Sequence, residues 1–251
     1  MNFFRKLKGA LLSRYLGTIT HVNTNEPLVA LTFDDGPDSR TTPQLLNILQ
    51  RHQARATFFM IGENALRFPE LVQQVAEEGH TVANHSWGHA SFPYISGSAR
   101  RAEIRKGGEA LSPYGEKLFR PPYGNQTFWS RIDALRTGYQ VVTWSLAAHD
   151  WLDHDAQQMV DDVSAKIKPG SIILFHDGMY DTIKEHYRDR EPMLAAVDSL
   201  LSCWSGQYQF VTVPELLGKG IVQKQYWLMK AEKKFLNELQ CTSGAGHRYQ
   251  V

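Results

Sequence analysis

Leu28-Val-Ala-Leu-Thr-Phe-Asp-Asp-Gly-Pro-Asp38 joins a short run of apolar and β-branched residues to two adjacent carboxylates and a Gly-Pro turn. The run has the length and make-up of a buried strand. Gly36-Pro37 bends the chain sharply enough to leave Asp34 and Asp35 at the rim of a sheet. Two such neighbours can divide two tasks, one ligating a metal while the other moves protons. The same Asp-Asp-Gly-Pro string is also a good surface turn, so its meaning depends on the rest of the chain.

Outward from this stretch, further strand candidates lie at residues 56–60, 80–83, 117–119, 139–144, 171–175 and 208–212. Helical patterns fall between them at 41–53, 64–78, 99–111, 126–137, 155–167 and 190–203. Such alternation implies parallel strands joined by crossover helices, as an open sheet or as a barrel. Residues 222–240 read as a terminal amphipathic helix, followed by a loose tail. No internal repeat or linker divides the chain, and 251 residues suit one sizeable α/β domain.

The net charge of +1 is unevenly spread. Residues 1–22 carry +4 and residues 218–251 another +4, which leaves the body between them at −7. That balance excludes a nucleic-acid-binding core and confines attraction to anionic surfaces to the two ends. Phe4, Leu7, Leu11, Tyr15 and Leu16 fall on one helical face among basic residues, as in a helix lying on a membrane surface or one packed across the domain. No signal-peptide h-region or membrane-spanning stretch is evident. The expected location is therefore the cytoplasm or the inner membrane face, with peripheral membrane contact through the basic ends. Cys203 and Cys241 do not suggest a disulfide framework, which fits a reducing compartment.

In either parallel architecture function collects where strands end. Those positions hold Asp34 and Asp35, His85 and His89, Arg120 to Gly124, His149 to Trp151, and His176. His85 and His89 are spaced i,i+4, which in a helical turn puts two imidazoles on one side. With a carboxylate from another strand they make a two-His, one-carboxylate set for Zn²⁺, Fe²⁺ or Co²⁺ with open coordination positions. A lone histidine pair is more often structural, and His176 alone would read as a satisfied core residue. In this company His176 can donate a proton near neutral pH. Arg120 is either a surface cation or the partner of a carboxylate. Trp87, Tyr123 and Trp151 suit a core and a sugar-binding wall equally.

Five ordered segments, Thr-Phe-Asp34-Asp35-Gly-Pro, His85-Ser-Trp-Gly-His89, Arg120-Pro-Pro-Tyr123, Asp150-Trp151 and Leu174-Phe-His176, closely resemble the motifs of the NodB-like polysaccharide deacetylases, a carbohydrate esterase family. The resemblance covers about residues 28–215. It implies an α/β fold, an incomplete (β/α)7 TIM-like barrel, with catalytic domain 23–217 between a basic amphipathic segment 1–22 and a basic helix and tail 218–251. It also implies hydrolytic N-deacetylation of an N-acetylated sugar with release of acetate. Asp35, His85 and His89 then hold one divalent ion, Zn²⁺ foremost, with Co²⁺ or another ion as alternatives. Asp34 is the general base tethered by Arg120, His176 is the general acid oriented by Asp150, and the Tyr123 backbone N–H is an oxyanion donor. Trp151 and Leu174 wall the acyl methyl. The chain departs from the family at Ala147, where members often carry Asp, and we read this as variation in substrate. The rival readings are an amide or imide hydrolase on the same scaffold and a carbohydrate-binding protein without catalysis.

Overall fold

The computed structural model describes residues 16–182 and 184–227. β1 (Thr18–Asn23) leads into β2 (Leu28–Asp34), which lies near the middle of a curled parallel sheet and is buried at every position. A strand covered on both faces needs apolar residues throughout, which is why 28–33 reads as an unbroken run. Along the sheet the order is β6 (Gln140–Val141), β5 (Gly115–Phe119), β4 (Thr81–Asn84), β3 (Ala56–Met60), β2, β8 (Ile172–His176) and β7 (Leu146–Ala147). All neighbours are parallel, and β9 (Gln209–Phe210) pairs with the start of β2. Seven strands on one curled path make the expected incomplete barrel.

Side chains alternate across it. Ala30, Phe59, Ala83, Leu118 and Ile172 fill the interior. Leu31, Phe33, Phe58, Met60, Ile173 and Phe175 point outward and pack on the helices. The main outer layer consists of α1 (Thr41–Arg51), α2 (Gly62–Arg67), α3 (Pro69–Glu77), α4 (Gly97–Ala110), α5 (Phe128–Arg136), α6 (Ala156–Ser164) and α7 (Glu191–Trp204). Leu45, Leu49, Val72, Val163, Leu194 and Val197 supply the buried faces of α1, α3, α6 and α7, and each such side chain contributes about 1.5–3 kcal/mol by burial. α8 (Val213–Leu217) starts from a Thr212 capping box.

Several sequence expectations are corrected. The helix at 64–78 is two helices, because Phe68 precedes Pro69 and leaves helical geometry (φ −130°, ψ 59°). The strand at 139–144 is short, since residues 142–145 step across the barrel mouth. Val142 N–H bonds Phe119 C=O on one side, and Ser145 N–H bonds Ile172 C=O on the other. Three strands were not anticipated: β7, which follows that step and pairs with β8, and β1 and β10. β1 bridges Val142 and Ser171, spanning the opening, and pairs antiparallel with β10 (Ile221–Gln225). Residues 222–225 of the expected terminal helix are therefore strand; its remainder from 228, and residues 1–15 of the basic N-terminal segment, lie outside the described residues. The folded body thus takes in parts of both flanking segments, with Ile19 and Val22 buried in the barrel interior. Among the described residues no helix is long and apolar enough to cross a membrane.

Candidate active site

Asp34 ends β2 on the same inward face as Ala30 and Thr32, while Asp35 continues with φ 72°. In regular strand the next side chain would leave the barrel. The left-handed residue turns Asp35 back over the strand end, so both carboxylates reach His85: Asp34 Oδ2 lies 3.7 Å and Asp35 Oδ1 3.4 Å from its Nε2. The turn is pinned by Ile61 N–H to Gly36 C=O (2.9 Å) and by Asn64 Nδ2 to Asp35 C=O (2.8 Å). Gly36 is required by close approach, since a Cβ there would sit 2.4 Å from the Asp177 carboxylate oxygens.

Arg120 follows β5, points into the barrel and has no exposure. Its Nη1 donates to Asp34 Oδ1 (2.6 Å) and Thr32 Oγ1 (2.8 Å), its Nη2 to Thr143 C=O (2.8 Å). The guanidinium lies 3.9 Å from the centre of the Phe59 ring. Arg120 is thus a carboxylate partner and not a surface cation. An unpaired charge at such depth would be costly, so Asp34 and Arg120 stand or fall together.

His85 and His89 meet without a helix. They lie in an irregular loop after β4 in which Ser86 and His89 both have positive φ (71° and 56°), which corrects the helical reading of their i,i+4 spacing. The loop can lie close against α4 because Gly107 has no side chain there; a Cβ would meet Asn84 Oδ1 at 2.5 Å. His85 Nδ1 is 2.8 Å from Arg120 C=O, so Nδ1 carries the hydrogen and Nε2 keeps its lone pair. His89 Nδ1 is 3.0 Å from Asp181, and its Nε2 is 3.2 Å from Asp35 Oδ1.

The ligand atoms of Asp35, His85 and His89 all lie within 4.8 Å of one another. Asp35 Oδ1 is buried and accepts no hydrogen bond, while Oδ2 accepts from Tyr180 N–H (3.1 Å). An orphaned carboxylate oxygen facing two imidazole nitrogens fits a cation of the Zn²⁺ or Co²⁺ type. Burial pushes the Asp35 carboxyl up, but His89 and His85 outweigh it and hold it well below the usual range.

His176 ends β8, registers with Asp34 and is held differently. Asp150 accepts from its backbone N–H (2.8 Å) and lies 3.0 Å from Nδ1. Arg190 in turn bonds Asp150 and the His176 carbonyl. Burial lowers the imidazole's pKa, but the Asp150 carboxylate outweighs it and raises the pKa above the ordinary value. Trp151 stands edge-on to His176 with ring centres 5.3 Å apart. Leu174, two residues earlier on the same inward face, is buried. Tyr123 has φ 58°, and its ring lies 4.4 Å from that of His89. Apart from Trp87, whose ring packs beside Gly62 of α2 and Lys106 of α4, the sequence-nominated residues surround one end of the barrel.

Residues 21–142 match the family model for polysaccharide deacetylase. A peptidoglycan-N-acetylglucosamine deacetylase of Bacillus cereus is 38% identical over 201 residues, covering 78% of this chain and 91% of that protein. The chain belongs to the polysaccharide deacetylase family. A second B. cereus protein of the same description is 40% identical over 159 residues, covering 61% of this chain, but the chain spans only 56% of its length. The crystal structure of a peptidoglycan N-acetylglucosamine deacetylase in complex with 4-naphthalen-1-yl-N-oxidanyl-benzamide superposes with a TM-score of 0.75 at 30% identity, covering 86% of this chain and 98% of that one. The family's curled parallel sheet is thus the sheet described above.

Sequence reasoning missed Tyr180, Asp181 and Arg190. Asp181 lies beyond the strand end in a segment without periodicity, where nothing local marks a carboxylate as facing the site. Arg190 sits just before α7 and reaches Asp150 only through the fold.

Proposed function

We propose that this chain removes the acetyl group from an N-acetylated amino sugar, releasing acetate and a free amine. The observation that carries this reading is the convergence of Asp35 Oδ1 and the two Nε2 atoms beside two separate proton-handling groups, Asp34–Arg120 and His176–Asp150. A divalent ion held by Asp35, His85 and His89 would supply Lewis acidity, polarising a carbonyl oxygen and lowering the pKa of a water to roughly 7. Asp34, oriented by its ion pair with Arg120, takes the proton from the attacking water. His176 delivers a proton to the departing amine, with Asp150 fixing its Nδ1–H so that Nε2 faces the substrate. The Tyr123 backbone N–H stabilises the oxyanion, a role worth a few kcal/mol for one such donor. Trp151 and Leu174 bound the space for the acyl methyl.

The substrate class follows the relatives, whose descriptions name peptidoglycan N-acetylglucosamine and, in a Sinorhizobium fredii protein 39% identical over 175 residues and covered to 78%, chitooligosaccharide. A glycan containing N-acetylglucosamine is therefore the proposed substrate. The test is acetate release from N-acetylglucosamine oligomers and from peptidoglycan, before and after chelation and after Zn²⁺ or Co²⁺ is returned. Release that stops on chelation and returns with metal supports the reading. Absence of release from every glycan by the metal-loaded chain would overturn it.

A further inference from the structure

The segment after β8 places one carboxylate where no motif anticipates it. The Asp181 side chain is buried, with an exposure of 5%. Its Oδ2 lies 3.0 Å from His89 Nδ1 and accepts the Tyr123 hydroxyl hydrogen bond at 2.5 Å. The two groups it joins come from different strand ends and both have left-handed backbone, His89 at φ 56° and Tyr123 at φ 58°. Such geometry costs on the order of 1–3 kcal/mol at a residue other than glycine and persists only where surroundings hold it. One residue earlier, Tyr180 N–H fixes Asp35 Oδ2 at 3.1 Å. Two consecutive residues of this segment thus grip opposite sides of the proposed metal set.

We propose that Asp181 is a positioning residue that keeps His89 in the Nδ1–H tautomer, so that Nε2 presents its lone pair to a divalent ion. Through the Tyr123 hydroxyl it also ties the proposed oxyanion donor to the same imidazole. A ligating histidine must be deprotonated at the ligating nitrogen, and an acceptor on the other nitrogen sets both tautomer and ring orientation. His85 receives this service from a main-chain carbonyl, Arg120 C=O, which no substitution removes. His89 depends on a side chain, so its hold on the ion can be tuned by mutation.

The inference rests on Asp35, His85 and His89 binding a cation, and the experiment separates the two claims. Zn²⁺ affinity is measured on the full chain by competition with a chromophoric chelator for the unsubstituted protein, Asp181→Ala, Asp181→Asn, Tyr123→Phe and His89→Ala. Circular dichroism and melting confirm that each variant is folded. Asp181→Ala is expected to bind Zn²⁺ about 10- to 100-fold more weakly. Asp181→Asn, which keeps an acceptor for Nδ1–H, should recover part of that loss, and Tyr123→Phe should leave affinity within about threefold because it removes only the second arm. In the Zn²⁺-loaded chain the ¹⁵N shifts of His89 should report protonated Nδ1 and metal-bound Nε2. Unchanged affinity in folded Asp181→Ala, with His89→Ala still abolishing binding, overturns the role of Asp181 and leaves the metal reading intact. Equal loss in the Ala and Asn variants also overturns it, since the acceptor would not be the cause. Failure of the unsubstituted chain to bind Zn²⁺ would overturn the metal reading itself and this inference with it.

Discussion

Two histidine–carboxylate pairs face each other across the end of the barrel, and their rings are held in different ways. On one side His89 Nδ1 is held by Asp181 and His85 Nδ1 by a main-chain carbonyl, and both Nε2 atoms converge on Asp35 Oδ1. On the other side His176 is held by Asp150, itself clamped by Arg190, and its Nδ1 partner lies 3.0 Å away. Convergent lone pairs around an orphaned oxygen suit a cation, whereas a single imidazole beside a buried carboxylate suits proton delivery. Asp34, paired with Arg120 between them, belongs by contact to both halves. The chemistry of each half is set by where the second nitrogen points, more than by which residue types are present.

The largest effect should come from breaking the convergent half. His85→Ala and His89→Ala are each expected to lose stoichiometric Zn²⁺ by elemental analysis and to release no acetate above background. His176→Asn should keep one ion per chain while acetate release falls by about 10²–10⁴-fold, the range for loss of a general acid. If His176→Asn also emptied the site, the division into two halves would fail.

A sharper cut runs between the neighbouring aspartates. Asp34→Asn is expected to retain the ion and lose turnover by about 10²–10⁴-fold, whereas Asp35→Asn should lose the ion. The measurement is metal content and acetate release on the same preparations. Loss of metal in Asp34→Asn with retention in Asp35→Asn would exchange their roles.

Much of this arrangement was legible in the chain. Parallel strands bury both faces and end in polar residues, so 28–33 and 171–175 announced both the sheet and the positions of Asp34, Asp35 and His176. The i,i+4 spacing of His85 and His89 pointed to the right pair for the wrong reason, because Ser86 and His89 in left-handed backbone do what a helical turn would otherwise do. β1 and β10 were hidden because short strands near basic, helix-compatible sequence give no clear period; their pairing depends on each other and on the barrel mouth they cover. Asp181 and Arg190 were hidden because their roles are tertiary. Each acts on a residue far away in the chain, His89 and Asp150.

The proposed proton-delivering half can be tested by pH. Burial lowers the His176 pKa, while Asp150, with smaller help from Asp35 and Asp34, raises it above the ordinary value. Arg190 faces the pair from the start of α7 and neutralises part of the Asp150 charge. A general acid works while protonated, so activity should fall as pH rises through this raised pKa. Asp150→Asn removes the main raising influence, and the basic limb of kcat/KM should move toward acid. Above the limb, each unit of movement lowers the rate about tenfold. An unmoved limb would assign it to another group.

The smallest effect concerns the seam between the halves. Asp177 follows His176, and its carboxyl occupies the space beside Gly36, next to the paired aspartates. Thr42 Oγ1 donates to its Oδ2 at 2.5 Å, while Oδ1 is buried without a partner. Burial raises its pKa to about 7, with the Thr42 hydrogen bond opposing and Asp38 adding to the rise. A carboxyl whose folded pKa lies above its unfolded value binds its proton more tightly in the folded state. Its contribution is therefore complete below about pH 4 and is lost as pH rises toward and through 7. Asp177→Asn keeps an acceptor for Thr42 and cannot ionise. Its unpaired amide adds a constant offset, so the slope is the quantity to read. With a chelator present in both samples, urea unfolding from pH 4.5 to 8 should show the parent losing stability relative to the variant, by a few kcal/mol over the window. Parallel pH curves would mean that Asp177 is ionised throughout and that the seam is held by Gly36 and Thr42 without its proton.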